Sequence, residues 1–165
     1  MVLFSRKSSG LTIVESLIAT VVLATAFVAL LNAVMAGQQQ LHQSDIMLRA
    51  AQLGNDLLEE IVSRDYRDPA GGTSFGPETG ENARCDYNDV DDYNGYSEPA
   101  GQLTDCTGRI YGPEHQVFSR SVSVTASEPL VSQLGCSIRG LNVTVTIRHQ
   151  NGEQWQFTRF IPEPH

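Results

Sequence analysis

The residues best suited to chemistry lie in one acidic stretch, Asp86-Tyr87-Asn88-Asp89-Val90-Asp91-Asp92-Tyr93-Asn94-Gly95-Tyr96-Ser97-Glu98, which carries five acids and no basic residue. Carboxylate and amide oxygens gathered around a glycine turn are the ligands of calcium, a hard cation that takes about six to eight oxygens. Asp86, Asn88, Asp89, Asp91 and Asp92 are the candidate ligands. Their spacing does not fit the EF-hand loop, and the plain alternative is a solvated acidic turn whose tyrosines pack on a helix.

Glu15 is the second chemically notable residue. It is the only charged residue between Leu11 and Ala36, where the other polar side chains are Thr12, Ser16, Thr20, Thr25 and Asn32. A charge inside a membrane helix costs roughly 2.5–3.5 kcal/mol on insertion scales, so such an acid needs a partner or a route to the interface. Snorkelling to the membrane surface is the plain account. Catalysis has no comparable set of residues: His42, His115, His149 and His165 are scattered, and no nucleophile elbow, zinc-protease helix or dinucleotide fingerprint is present. Gly71, Gly72, Gly76 and Gly80 neither follow a strand nor open a helix, and Lys7 is the only lysine, which excludes phosphate-binding P-loops and Schiff-base chemistry beyond the N-terminal segment. The expectation is a protein that is not an enzyme, and a formal charge of −8 argues against nucleic acid as a partner.

The elements that hold these residues follow from hydrophobic periodicity. The apolar run over 11–36 reaches about 39 Å as a helix, enough to cross a bilayer. Arg6 and Lys7 precede it and the next basic residue is Arg49, so the positive-inside rule puts the N-terminus in the cytoplasm and the rest outside. Past Gly37, the residues Ile46, Ala50, Leu53, Leu57 and Ile61 recur at helical spacing, while Arg49, Gln52, Asp56, Glu59 and Ser63 lie off that stripe. An amphipathic helix over 37–64, continuous with the apolar half, is expected to end by Asp68-Pro69.

Residues 69–115 show little periodicity and read as a loop region, and a loop that long is usually functional or poorly ordered. Residues 116–161 change period. Phe118, Arg120, Val122, Val124 and Ala126 alternate with serines and a threonine; Leu141, Val143, Val145 and Ile147 alternate with polar residues; Trp155, Phe157 and Ile161 share a third face. Asn151-Gly152 predicts a type I′ hairpin between the last two strands. An antiparallel sheet of three or more strands needs a cover, and the stripe on residues 46–61 supplies one, so the fold class is α+β with Trp155 and Phe157 in the core.

Three cysteines, Cys85, Cys106 and Cys136, fall on the outer side, where disulfides persist. The favoured pair is Cys85–Cys106, whose closure of the acidic loop would contribute about 3 kcal/mol in the chain-entropy model. Either alternative pairing remains open from the sequence.

The segment Ser9-Gly10-Leu11-Thr12-Ile13-Val14-Glu15-Ser16-Leu17, behind a short cationic head and ahead of the apolar run, resembles the prepilin signature of type IV pilins and pseudopilins. That resemblance implies residues 1–10 as a leader, cleavage between Gly10 and Leu11 by a prepilin peptidase, and N-methylation of Leu11. It implies that Glu15, with Thr12 beside it, serves assembly, the acid pairing with the N-terminal amine of a neighbouring subunit. It also implies residues 11–36 as the transmembrane half of a long helix and residues 37–165 as a periplasmic pilin-like domain, and some pseudopilins carry calcium in this region. Leu11 stands where the family usually has Phe, and Asn32 where major pilins often have Pro.

The Leu57 to Ile61 segment, the Asp89 to Tyr96 segment and the closing hairpin are similar to minor pilins of the MSHA biogenesis type. The partners implied are the peptidase, other major and minor pilins or pseudopilins, and the inner membrane. Without Arg6 and Lys7 the 11 basic residues fall to 9 against 19 acids, a formal charge of −10. A conventional signal peptide cut after Ala36 is a competing processing route, but the run exceeds the usual apolar core of such peptides and contains Glu15. The competing function is a membrane-anchored periplasmic domain that binds calcium or adheres to a surface.

Overall fold

The structure, a computed structural model, describes residues 12–72, 74–132 and 135–164. The leader with Gly10, the proposed N-methyl residue Leu11, and His165 lie outside the described residues. One helix, α1, spans Ile13–Val62 and continues through Gly37 without a break. The chain divides into two compact units between Asp45 and Ile46.

In the first unit every described side chain is exposed, and the helix is held by its own hydrogen bonds. Thr20 and Thr25 hydroxyls, which would be unsatisfied in an apolar medium, donate to the Leu17 and Val22 carbonyls at 2.8 and 2.9 Å. Such local bonds let a polar residue tolerate a lipid-facing position. Α1 is long and apolar enough to cross a membrane.

The second unit is an antiparallel sheet covered by the C-terminal part of α1. Among the described residues six strands follow in chain order: β1 (Ser97–Glu98), β2 (Phe118–Ser127), β3 (Leu130–Val131), β4 (Cys136–Ser137), β5 (Gly140–His149) and β6 (Gln154–Pro162). The main sheet runs β1-β2-β5-β6, all neighbours antiparallel, and β3 pairs with β4 in a small excursion between β2 and β5. Period-2 alternation sets which side chains go inward. Phe118, Val122, Val124, Leu141, Val143, Val145 and Ile147 are buried together with Ile46, Ala50, Leu53, Leu57 and Ile61 of α1. Gly54 is what allows the closest approach of helix and sheet, because a Cβ there would lie 2.3 Å from the Phe157 ring. Trp155 and Phe157 are half-buried against the core rather than enclosed by it, since β6 is the edge strand.

Three expectations change in detail. Α1 ends at Val62, ahead of Asp68-Pro69, because the chain is already engaged in other pairing: the Asp65 carbonyl accepts the Val90 N–H at 3.0 Å and Asp65 bridges Asp89. The last hairpin is not type I′. Gly152 alone has positive φ (95°), its N–H donates to the His149 carbonyl at 3.0 Å, and His149 N–H donates to Glu153 O at 2.9 Å. That is the three-residue loop with a glycine bulge, in which Asn151 stays at negative φ and its carboxamide braces Glu153 instead. Third, the 69–115 region contains β1 and a one-turn 3-10 helix, Asp91–Tyr93, and is tied to α1 and the sheet by buried polar contacts.

Candidate functional site

At the start of α1, Thr12 acts as the N-cap: its Oγ1 accepts the Glu15 N–H at 3.2 Å, and its carbonyl accepts the Ser16 N–H at 3.1 Å. Thr12-Ile13-Val14-Glu15 has the residue pattern of a capping box, and Glu15 is the acid of the first turn, where the helix dipole favours negative charge. Thr12 and Glu15 therefore have a local role in starting the helix. Beyond them Ile18, Ala19, Val22 and Ala26 continue one exposed apolar face.

The second unit contains two groups of acids with different surroundings. The first is an ion-pair network, in which Arg120 Nη1 is buried without a hydrogen-bond partner. Arg120 lies at an inward position of β2 and is 1% exposed, so its charge must be met inside. It donates to Glu98 and to the Thr104 carbonyl, and its guanidinium lies 5.6 Å from the Tyr111 ring centre. The Glu98 carboxylate also accepts the Thr104 N–H and hydroxyl at 3.1 and 2.7 Å. Arg84 grips Glu60 of α1 with two nitrogens and reaches the Thr104 carbonyl at 2.8 Å, while the Tyr93 hydroxyl donates to Glu60 at 2.8 Å. Burial alone would raise the Glu60 and Glu98 carboxyls, but the hydrogen bonds and charge of Arg84 and Arg120 outweigh it and hold both below their ordinary values. Tyr87, Tyr93 and Tyr96 pack edge to face on one another beside this network, with ring centres 5.0–6.2 Å apart.

The second group is the acidic stretch itself, and the five predicted ligands do not converge. Asp86 is exposed and accepts the Ala83 N–H at 3.1 Å. Asp89 Oδ1 accepts the N–H groups of Asp91 and Asp92 at 3.0 and 3.2 Å, which starts the 3-10 turn. Asp91 accepts the Gly76 N–H at 2.9 Å. Asp86 and Asp89 brace their own turns, and Asp91 ties the 3-10 turn to Gly76. Asn88 and Asp92 remain: Asp92 Oδ2 accepts the Asn88 and Asp89 N–H groups at 2.8 and 3.1 Å, while Asp92 Oδ1 and Asn88 Oδ1 are buried with no hydrogen-bond partner. Two acids outside the predicted set, Glu78 and Glu81, place carboxylate oxygens within 4.8 Å of each other and of Asp92. Glu78 and Glu81 follow Pro77 and flank Gly80, a turn-rich surrounding that carries no ligand spacing of its own; only their return onto the 3-10 turn reveals them.

Burial pushes the Asp89 carboxyl up to about 7, with the neighbouring Asp91 and Asp92 charges adding to it. The cysteines are exposed thiols, and the favoured pair is brought together: Cys85 Sγ donates to the Cys106 carbonyl at 3.0 Å, while Cys136 lies on β4.

Comparison with known proteins found no matching family model, no similar curated protein and no similar solved structure.

Proposed function

We propose that this chain is a structural subunit of a type IV pilin-like filament, a minor pilin or pseudopilin, rather than an enzyme. One observation carries the reading: α1 leaves all of its apolar residues up to Asp45 uncovered and buries a regular stripe from Ile46 to Ile61 under an antiparallel sheet. A helix with a membrane-length apolar half needs a surrounding other than its own chain, first lipid and then the equivalent helices of other subunits. In this reading the N-terminus is cytoplasmic, the sheet-bearing unit is periplasmic, and a prepilin peptidase cuts between Gly10 and Leu11. Glu15, beyond its place in the first helical turn, meets the methylated amine of Leu11 on a neighbour, a buried pair that sets register as buried ions do in some assemblies. The Cys85 and Cys106 thiols close in the oxidising periplasm.

The intact mass and N-terminal sequence of the protein purified from its membrane test this. Mature chains beginning at N-methyl-Leu11, with one alkylatable thiol of the three, are expected. A start at Met1 or at Gly37 would overturn the pathway. Glu15→Val is expected to leave the protein processed but absent from filaments. A minor role predicts that deleting the gene sharply reduces filaments while the protein stays scarce in sheared preparations; abundance equal to that of the main subunit would defeat it.

A further inference from the structure

We propose that the 78–92 loop binds calcium through Glu78, Glu81 and Asp92, with Asn88 Oδ1 as a fourth oxygen ligand. The site differs from the one the acidic stretch predicts: Asp86, Asp89 and Asp91 each turn one carboxylate oxygen to backbone N–H groups, and the acids whose oxygens converge are Glu78, Glu81 and Asp92. Three carboxylates within 4.8 Å of one another fit the first shell of calcium, whose oxygens lie at about 2.3–2.6 Å from the ion and so span up to about 5 Å across it. Magnesium demands a tighter octahedron at about 2.0–2.1 Å and keeps its waters, which this spread of protein oxygens serves poorly.

The independent evidence for a ligand is the orphaned oxygen. Asp92 is 1% exposed, its Oδ2 is held by two backbone N–H groups, and its Oδ1 has no partner. Leaving a buried acceptor unmet is costly, more so on a charged group, and native proteins seldom do it. Asn88 repeats the pattern: its amide nitrogen donates to Glu81 and its Oδ1 is buried without a partner. The described ion pairs are directed elsewhere, with Arg84 on Glu60, Arg120 on Glu98 and Arg67 on Glu163. Asp68 adds to the negative charge, since its Oδ2 and Glu78 Oε1 both lie about Gly72, where a Cβ would meet them at 2.4 and 2.5 Å.

The proposal concerns the purified chain and is independent of assembly, so its failure and that of the filament reading are separable. The full chain in detergent, stripped with EDTA, is titrated with terbium chloride and excited through its tyrosines; Tyr87 adjoins the site closely enough for Asp92 and Glu81 to bear on its hydroxyl. Saturable luminescence is expected, displaced by calcium chloride at concentrations where magnesium chloride has no effect. Glu81→Gln and Asp92→Asn are expected to weaken calcium at least tenfold, and Asp86→Asn to leave it unchanged. Glu78→Gln, at a partly exposed position away from the core, keeps the test readable if Asp92→Asn misfolds. Unsaturable luminescence, equal displacement by magnesium, or wild-type calcium affinity in Glu78→Gln and Glu81→Gln would each overturn the proposal.

Discussion

Two groups of acids around one loop region meet opposite fates. Glu60 and Glu98 are buried against Arg84 and Arg120 and held in the ionised form, whereas Glu78, Glu81 and Asp92 are gathered without an arginine between them. Both include a carboxylate removed from water, Asp92 in the second, and the difference lies in the partner. A buried charge met by a bidentate or multiply bonded guanidinium becomes part of the fold. One left facing other carboxylates becomes a demand for a cation or a proton. The first group is architecture, joining α1, the loop and β2; the second has the character of a receptor.

The strongest way to break this contrast is Arg120→Met. It leaves the buried Glu98 with only the Arg84 guanidinium, 3.7 Å away, and is expected to cost about 3 kcal/mol, read by urea unfolding of the full chain in detergent. Adding Glu98→Leu should recover most of that loss, since a well-packed apolar pair can replace a buried ion pair. A single-variant cost under about 1 kcal/mol would mean the network is ornamental.

The pH profile separates the groups by sign. The lowered Glu60 and Glu98 carboxyls contribute stability that is full above about pH 4.5 and is lost as pH falls through their depressed folded values. Glu78 and Asp89 behave inversely: raised from ordinary values of 4.5 and 3.8 to about 7, they contribute stability that declines as pH rises from about 4 to about 7. In EDTA the melting temperature should therefore peak near pH 5 and fall toward pH 7. Calcium chloride should remove the fall by holding the carboxylates ionised, and a flat profile in EDTA would dissolve the contrast. Tyr93→Phe sharpens the first group, removing the hydroxyl donated to Glu60 for an expected loss of about 1 kcal/mol. Asp86→Asn, outside both groups and exposed, should change stability by less than about 0.5 kcal/mol.

The layout of the fold was legible because its signals are periodic. The Ile46 to Ile61 stripe and the alternations in β2 and β5 each predict the face that is buried. Arg120 was legible only as a position: it stood among the alternating residues of β2, but nothing in spacing named Glu98, which reaches it through the β1 register. The acid cluster was legible in part, since Asp92 and Asn88 stood in the predicted set. Proximity in sequence put Asp86, Asp89 and Asp91 beside them, whereas in the fold backbone N–H groups bond one oxygen of each, Gly76 reaching Asp91 from 15 residues away. Glu78 and Glu81 come from a different turn and could not be found without the path of the loop. The turn after β5 was misjudged for a similar reason, since Asn-Gly serves both the two-residue and the bulged three-residue hairpin.

The order of elements along the chain also governs its synthesis. Α1 closes at Val62, and the strands that cover its Ile46–Ile61 stripe begin at Phe118. At roughly 5–20 residues added per second, the stripe exists for several seconds before β2 is made, and longer before β5 and β6. Throughout that interval a nascent chain carries two consecutive adhesive surfaces, one an apolar stretch long enough to cross a membrane and one awaiting a sheet not yet translated. Delivery of this protein is thus a problem of timing, in which whatever shields residues 46–61 must let go before the last hairpin arrives.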